Sequence, residues 1–400
     1  MGNAEQDSPV ITIQCDWEDF IFTTKQEVWV SCKYRGKDSI HSKLRGQGMN
    51  SPICSSDDFT VISVTKDALY IKHNSSGTIC AFVPPSKTFS LHKKKVVSLN
   101  VTDGGLGVSA CAENKLLVWN SDTGELQRTL EGHVCNVYKC KYFPSGIVVL
   151  SGGADMQLKI WSAETGQCPV TLRGHKAAVH DFCIVDRGRN IISVSKDGIA
   201  KLWDCGLSAC LATIMESSDT LNCCSIGLIP NNVTVERITP VSDREIGTKD
   251  KLLIIGSEEG LVYGVAVFNR KVIFSVNVES AVNVVLHLSN QFMVGCQNGK
   301  ILIYNFTDIS NPAKVIYESN SPVLSGCAFK QNGFFIGRND GTVTYYDRVG
   351  YSSKKVVLTG SDCDPIYDLA CGCENIFTAC RDGKIRKYKV NDVIKNCFQS

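Results

Sequence analysis

The sequence predicts an all-β protein in which one four-stranded unit is repeated around a closed ring. Two segments, E-G-H-V-C-N-V at 131–137 and R-G-H-K-A-A-V at 173–179, begin the same pattern one period apart. Four residue types then recur at a spacing of 42 residues, as the pairs His133/His175, Ser151/Ser193, Asp155/Asp197 and Trp161/Trp203. A G-H…W-D signature at this period is typical of the blades of a WD-repeat β-propeller.

The spacing of the four residues predicts a buried hydrogen-bond network within each blade. An aspartate in the turn between the second and third strands can bind a histidine, which reaches a serine that also accepts the tryptophan N–H. We therefore expect a network of His133, Ser151, Asp155 and Trp161 in one blade. The next blade repeats it with the set His175, Ser193, Asp197 and Trp203. Serine, histidine and aspartate also form catalytic triads, but a set that repeats blade after blade favours a structural role.

Turn residues and the aromatic or apolar residues six positions later predict seven blades. The pairs are Glu113/Trp119, Asp155/Trp161, Asp197/Trp203, Glu259/Val265, Asn298/Tyr304, Asp340/Tyr346 and Asp382/Tyr388. The turns follow one another at 42, 42, 62, 39, 42 and 42 residues. The long step contains a polar segment at 229–250, which we interpret as a surface excursion between the first and second strands of the fourth blade.

The last blade has sequence for only three strands, so its fourth place is open. We expect residues 87–91 to fill that place and close the ring, because closure removes exposed sheet edges. This predicts a β-rich N-terminal domain at 1–85, followed by a seven-bladed propeller at 86–400.

The N-terminal region has the alternation of short strands at 10–15, 20–24 and 27–33. Residues 1–8 are polar and predicted to be disordered, and 35–58 have the composition of a loop or linker. Residues 59–91 fit two interpretations: an incomplete blade without its first strand, or the end of the N-terminal domain.

Composition excludes several classes of function. Charged residues are 20% of the 400 and the formal net charge is +2, so there is no general attraction to nucleic acid or acidic lipid. The 20 cysteines lie mostly inside apolar runs without metal-binding spacing, which indicates reduced core thiols. The seven histidines are scattered, and no phosphate-binding, dinucleotide-binding or metalloprotease motif occurs. We therefore predict no catalytic residue, no metal, no cofactor and no membrane span.

Binding to another protein remains as the function, and acidic residues mark the candidate surface. They gather at the turns between second and third strands, on the face that we call the top face: Glu258, Glu259, Asp340 and Asp382. Asp368 lies just inside the first strand of the seventh blade and joins this set. The alternative is that each carboxylate is used locally by the backbone of its own turn.

The whole chain resembles the proteasomal ATPase-associated factor family of WD-repeat proteins. The resemblance rests on the layout and on D-W-E-D-F at 16–20, V-S-A-C-A-E-N-K-L-L-V-W at 108–119 and F-P-S-G-I-V-V-L-S-G-G-A-D-M-Q-L-K-I-W at 143–161. It implies a non-enzymatic, monomeric assembly chaperone of the proteasome regulatory particle, located in the cytoplasm and also in the nucleus.

The partner that the resemblance implies is the basic C-terminal domain of a regulatory-particle ATPase subunit, held by the acidic top face. Such binding would oppose association of the regulatory particle with the proteolytic core. One alternative is a WD-repeat scaffold or substrate adaptor of another complex, such as a ubiquitin ligase. A second is a nucleic-acid-associated propeller, supported only by the basic runs Lys93–Lys95 and Lys384–Lys389.

Overall fold

The computed structural model describes residues 9–23, 26–47, 50–230, 242–330, 333–347, 353–372 and 374–398. The predicted disorder at 1–8 and the middle of the predicted excursion, 231–241, lie outside these residues. The N-terminal elements are β1 (Val10–Ile13), α1 (Trp17–Ile21), β2 (Glu27–Lys33), β3 (Ile40–Gln47), β4 (Asn50–Cys54), β5 (Phe59–Val64), β6 (Leu69–His73), β7 (Ile79–Val83) and β8 (Lys87–Phe89).

Seven blades follow, as the turn spacing predicts. Blade one consists of β9 (Val96–Val101), β10 (Leu106–Cys111), β11 (Leu116–Asn120) and β12 (Leu126–Leu130). Blade two consists of β13 (Val137–Tyr142), β14 (Val148–Gly153), β15 (Gln157–Ser162) and β16 (Val170–Arg173). Blade three consists of β17 (Val179–Val185), β18 (Asn190–Ser195), β19 (Ile199–Asp204) and β20 (Ala209–Glu216). Blade four consists of β21 (Leu221–Leu228), β22 (Lys251–Ser257), β23 (Leu261–Ala266) and β24 (Lys271–Asn277). Blade five consists of β25 (Val282–Leu288), β26 (Gln291–Cys296), β27 (Ile301–Asn305) and β28 (Lys314–Ile316). Blade six consists of β29 (Val323–Phe329), β30 (Gly333–Arg338), β31 (Val343–Asp347) and β32 (Lys354–Leu358). Blade seven contains β33 (Ile366–Cys371), β34 (Asn375–Cys380) and β35 (Ile385–Lys389). The helix α2 (Asn391–Phe398) follows.

The predicted closing strand is present. β8 pairs antiparallel with β35, with Phe89 opposite Ile385, and completes the fourth place of the seventh blade. The fold class is therefore the predicted one, an all-β WD propeller with an N-terminal β region.

Two local predictions for the N-terminal region are wrong. Residues 20–24, predicted as a strand, include the end of helix α1, whose Trp17 and Ile21 are buried beneath the sheet. Residues 35–58, predicted as a loop or linker, contain β3 and β4, which extend a four-stranded sheet in the order β1-β2-β3-β4. In β3 the inward positions are held by Ile40, Ser42, Leu44 and Gly46, so only two of the four carry a large apolar residue.

Neither interpretation of residues 59–91 describes the structure fully. β5, β6 and β7 form a meander, but β7 joins the outer strand of blade six, β32, in a parallel pairing. The result is a seven-stranded sheet that continues blade six outward. The N-terminal sheet packs on one side of this extension, where Val28, Phe59, Leu69, Phe82 and Val357 share one core.

The C-terminal helix α2 packs against the other side of the same extension. Its Val393 and Cys397 are buried beside Ala81, Val356 and Leu358. Within the described residues neither helix is long and apolar enough to cross a membrane. The N-terminal and C-terminal segments thus cover opposite faces of one sheet, which holds both against the ring.

The excursion in blade four leaves the face opposite the top face, because it joins a first strand to a second strand. The part that follows 231–241 packs against blades three and four: the Ile246 N–H donates to Asn190 Oδ1 of blade three at 2.7 Å, and Glu245 forms an ion pair with Arg270 of blade four. Glu245 and Thr248 are buried. The described part of the excursion therefore belongs to the bottom face.

Candidate partner-binding surface

Blade two contains the four-residue network that the repeat spacing predicts. His133 Nδ1 lies 2.7 Å from Asp155 Oδ2, and His133 Nε2 lies 2.7 Å from Ser151 Oγ. The Trp161 indole N–H donates to the same Ser151 oxygen at 2.8 Å. Because the serine accepts from tryptophan, its hydroxyl donates to histidine, and the histidine donates to the carboxylate. All four side chains are buried, so the set stabilises the blade and has no access to a substrate.

Blade three repeats the network with nearly the same geometry. His175 lies 2.9 Å from Asp197 and 2.7 Å from Ser193, and Trp203 donates to Ser193 at 2.8 Å. The Asp197 carboxylate also accepts the Lys176 N–H. Burial lowers the pKa of His175, although hydrogen bonding to Asp197 acts in the opposite direction. The Asp197 carboxylate therefore forms its hydrogen bonds within the protein.

Blade one contains a shorter version of the network that sequence reasoning missed. His92 Nε2 lies 2.7 Å from Ser109 Oγ, and Trp119 donates to that oxygen at 3.1 Å. Burial lowers the pKa of His92 to about 4, so the ring is neutral at neutral pH. The signal was available, since Ser109 precedes Trp119 by the same ten residues that separate Ser151 from Trp161.

Asp368, predicted to belong to a partner-binding surface, is buried in the wall of the central channel. Its carboxylate accepts hydrogen bonds from Ser98 Oγ at 2.7 Å and the Leu99 N–H at 3.0 Å, and it lies 2.9 Å from Lys139 Nζ. Burial alone would lower the pKa of Lys139, but Asp368 and Asp181 raise it. The structure therefore assigns Asp368 to the joint between blade seven and its neighbours, not to the surface.

Two of the turn acids are largely used by their own turns. Asp340 Oδ1 accepts both the Thr342 N–H at 3.0 Å and the Thr342 hydroxyl at 2.6 Å. Asp382 accepts the Lys384 N–H and forms an ion pair with Arg386. Burial would raise the pKa of Asp382, but hydrogen bonding to Arg386 lowers it overall. These contacts fit the local alternative, in which the carboxylate holds the turn.

Glu258 and Glu259 are exposed at the turn of blade four. Glu258 accepts one hydrogen bond, from Asn222 Nδ2 at 2.6 Å, and lies at the edge of the channel mouth. The Glu259 backbone N–H donates to Asp219 Oδ2 at 2.8 Å, so the turn is fixed while the Glu259 side chain points to solvent. Among the predicted acids, these two are the ones best placed for a partner.

The channel mouth is a depression of about 390 Å³ that combines aromatic and amide side chains. Most of these side chains belong to the second residue of the first strand in their blade, a position that repeats from blade to blade. The lining residues are Tyr138, His180, Asn222, Glu258, Asn283, Gln297, Leu324 and Tyr367. We call this set the channel mouth. Sequence reasoning missed it, although each strand residue directly follows the buried residue that begins its first strand.

Hydrogen bonds between blades fix several of these side chains in place. His180 contacts the Leu221 carbonyl at 3.1 Å, and Asn222 donates to the Val282 carbonyl at 3.2 Å. Asn283 donates to the carbonyl of Val323 at 2.8 Å. These three second-position side chains thus bridge to the first residue of the next blade. A preorganised rim of this kind binds a partner with little loss of side-chain entropy.

Charge on the top face is divided between two arcs. The top-face loops and turns of blades four to seven carry nine acidic and three basic residues; the acids are Asp219, Glu258, Glu259, Glu279, Glu318, Asp340, Asp362, Asp364 and Asp382. We call this the acidic arc. The corresponding segments from 92 to 198 carry four acidic and six basic residues. The channel mouth lies between the two arcs.

The two basic runs that suggested nucleic-acid binding, Lys93–Lys95 and Lys384–Lys389, do not form a continuous stripe of unpaired positive charge. Arg386 and Lys387 are buried, and they are paired with Asp382 and Asp122. In the other run, Lys94 lies 3.9 Å from Glu113, and Lys95 lies over the ring of Tyr367.

Asp364, Cys380 and Asp382 form the group of potential metal ligands found among the described residues. Arg381 contacts Asp364 at 2.7 Å, and Arg386 pairs with Asp382, so guanidinium groups already occupy both carboxylates. This arrangement favours ion pairs over a metal ion.

Known proteins similar to this chain agree with the architecture. The profile of the WD domain, G-beta repeat, matches residues 124–162 and 166–204. The chain is 42% identical to proteasomal ATPase-associated factor 1 of Gallus gallus over 96% of its own length and 99% of the relative. It is 40% identical to the Homo sapiens protein of the same name, with the same coverage. It is 33% identical to the probable proteasomal ATPase-associated factor 1 of Dictyostelium discoideum, over 95% of its own length and 96% of the relative.

Proposed function

The chain belongs to the proteasomal ATPase-associated factor 1 family, and from this premise we propose that it is a non-catalytic protein that binds a proteasomal ATPase. The name of the relatives supports a proteasome-related role. In our proposal the partner is the C-terminal domain of a regulatory-particle ATPase subunit, and it docks on the top face.

The observation that carries the proposal is the contact between the acidic arc and the channel mouth. Glu258 belongs to both, since it lines the mouth and stands in the arc. Tyr138, partly exposed, and Tyr367 add aromatic surface of the kind that anchors protein interfaces. A basic domain would be steered by the acidic arc and anchored at the mouth. The basic residues between 92 and 198 would define its orientation.

Binding of this kind would act by occupancy. While the ATPase subunit is held on the top face, its bound surface is withheld from other assembly partners. We therefore propose that the protein acts as an assembly chaperone that opposes docking of the subunit on the proteolytic core. It works as a monomer in the cytoplasm and the nucleus. Size-exclusion chromatography with light scattering and cell fractionation test these two statements.

The direct test measures binding to purified C-terminal domains of regulatory-particle ATPase subunits, each immobilised in turn. We expect Glu258→Lys/Glu259→Lys to weaken binding at least tenfold, and the wild-type affinity to fall as salt is raised. The control is Glu125→Lys/Glu164→Lys, which makes the same charge change at exposed positions in the loops between third and fourth strands.

Equal binding by a folded Glu258→Lys/Glu259→Lys variant would remove the top-face assignment. Failure of the wild-type protein to bind any of these domains would remove the ATPase partner itself. Affinity purification from cells then separates the alternatives: ATPase subunits support the proposal, whereas components of a ubiquitin ligase would assign the propeller to another complex.

A further inference from the structure

A cleft of about 440 Å³ separates the N-terminal sheet from the top face at blade six. One wall is the outward face of β1 and β2, with Val10, Thr12, Trp29, Ser31 and Lys33. The opposite wall consists of the top-face segments 318–321, 340–342 and 359–363. Arg35 closes one end, because its guanidinium carbon lies 4.0 Å from the centre of the Tyr317 ring.

An exposed tryptophan lies in this cleft. Strand alternation places Val28 and Val30 in the core, and the same alternation turns Trp29 outward, where 45% of it is exposed. Leaving a large aromatic side chain in contact with water forfeits the free energy of burying it. Tryptophan is also the residue type most enriched at the energetic centres of interfaces. Trp29 is thus poised to be covered by a ligand.

The strand beside Trp29 offers an extended chain a place to pair. Among the residues that the structure describes, β1 pairs with one strand, β2, and it forms the edge of the N-terminal sheet. Edge strands bind extended peptides by adding one more strand, with side chains read by neighbouring pockets. The residues of β1 that line the cleft, Val10, Thr12 and Ile13, therefore favour a peptide in extended conformation.

The N-terminal wall is positively charged. Residues 27–47 contain five basic and two acidic side chains. Glu27 is engaged by Lys43 and Arg45 at 2.9 and 2.8 Å, whereas Lys33 is exposed and has no ion pair with any residue that the structure describes. Lys33 therefore offers its charge to a ligand that enters the cleft.

The carboxylates of the opposite wall are already engaged. Glu318 forms a buried ion pair with Lys355 at 2.8 Å, and Asp340 is held by its own turn. Burial raises the pKa of the Cys15 thiol, and the nearby Asp362 carboxylate raises it further. The charge next to Trp29 is that of Lys33, which lies on the same outward face of β2 and has no ion-pair partner among the described residues.

We propose that this cleft is a second binding site, which takes an extended acidic peptide segment of a partner protein. An apolar side chain of the peptide packs on Trp29 and Val10, and a neighbouring carboxylate pairs with Lys33. The site is separate from the channel mouth and goes beyond the proposed function, because it needs no ATPase domain and selects ligands of the opposite charge.

The test uses the full-length chain without any ATPase subunit. A random twelve-residue peptide library displayed on phage is selected against the wild-type protein, after depletion on the Trp29→Ala/Lys33→Glu variant. We expect enrichment of peptides that combine aspartate or glutamate with an apolar residue. Synthetic copies of the enriched peptides should bind the wild-type protein at least tenfold more tightly than Trp29→Ala or Lys33→Glu, by fluorescence anisotropy.

Matched substitutions control for folding and for general charge. Ile147→Ala removes an apolar side chain that is also 45% exposed, and Lys72→Glu makes the same charge change on an exposed strand position outside the cleft. Both should bind like the wild type, and thermal unfolding verifies that every variant is folded. No enrichment after depletion, enrichment of basic peptides, or loss of binding in Tyr367→Ala instead of Trp29→Ala would each overturn the proposal.

Discussion

The third residue of every turn between second and third strands adopts the same left-handed backbone conformation. Five of these residues are glycine, which enters this region without steric cost: Gly198, Gly260, Gly299, Gly341 and Gly383. Blade one has Asn114 and blade two has Met156, at φ of 63° and 62°. Asparagine tolerates this conformation through its short polar side chain, but methionine does not. Met156 is also 44% exposed, so little packing offsets the strain.

We expect Met156→Gly to stabilise the protein by about 1 kcal/mol, because it removes the left-handed strain of a residue with a side chain. The free energy of unfolding in urea measures the effect. Asn114→Gly at the equivalent turn is the control and should change stability by less than half as much. A loss of stability in Met156→Gly would show that the methionine side chain contributes packing that outweighs the strain.

Single residues also show where prediction from sequence ends. The networks of His133 and His175 were predictable because four residue types recur at one spacing. The role of Asp368 was not, since its Ser98 donor lies 270 residues away on another blade. An acidic residue in a strand can lie on a binding surface or form hydrogen bonds between blades. Only the packing of strands that are distant in sequence decides between the two roles.

At the scale of elements, β8 is the strand on which the closed ring depends. Its Phe89 is 6% exposed, pairs opposite Ile385 of blade seven and lies 5.4 Å, centroid to centroid, from Trp119 of blade one. One three-residue strand thus contacts both ends of the ring. The strand was predictable from the place left open in blade seven.

Phe89→Ala should therefore destabilise the protein by about 3 to 4 kcal/mol, because it leaves a cavity at the ring closure. Denaturant unfolding followed by circular dichroism measures this loss. Leu126→Ala is the control: Leu126 lies on the outer strand of blade one and is 51% exposed, so its truncation should cost less than about 0.5 kcal/mol. A cost for Phe89→Ala as small as that of the control would mean that the ring does not depend on this closure.

Other elements escaped prediction because their partners are distant. The alternation of residues 79–83 indicates a strand, but nothing local indicates a parallel pairing with Lys354–Leu358. Parallel strands are common in sheets connected by helices, and this one joins a strand from before the ring to a strand near its end. Composition also concealed β3 and β4, whose polar residues resemble those of a loop.

At the scale of the whole molecule, polar side chains on the first strands join neighbouring blades around the channel. Asp368 joins blade seven to blade one through Ser98 and Leu99 and contacts Lys139 of blade two. Between blades three and four, the Asp181 carboxylate accepts the Cys224 N–H at 3.1 Å. Removing one member of a buried, hydrogen-bonded charge pair leaves the other without compensation.

Asp368→Asn should destabilise the protein by about 3 kcal/mol, because Lys139 loses its counterion and the new amide N–H₂ faces other donors. It should leave binding of the ATPase domain unchanged at temperatures where the variant is folded. Glu131→Gln, which breaks an ion pair with Lys115 in which both side chains are more than half exposed, should cost less than about 1 kcal/mol. Weaker partner binding by folded Asp368→Asn would return this residue to the binding surface.

The closing strand also has a consequence for the order in which the chain becomes available during synthesis. β8 leaves the ribosome early, but its partner β35 follows roughly 300 residues later. The meander β5–β7 similarly lacks its pairing partner until β32 has been synthesised, and only then can its sheet become continuous with the ring. Translation adds only about 5 to 20 residues each second, so these N-terminal strands spend many seconds with unsatisfied edges. The nascent chain should therefore bind general folding chaperones through the strands that precede β9, and the ring should close only after β35 has been synthesised.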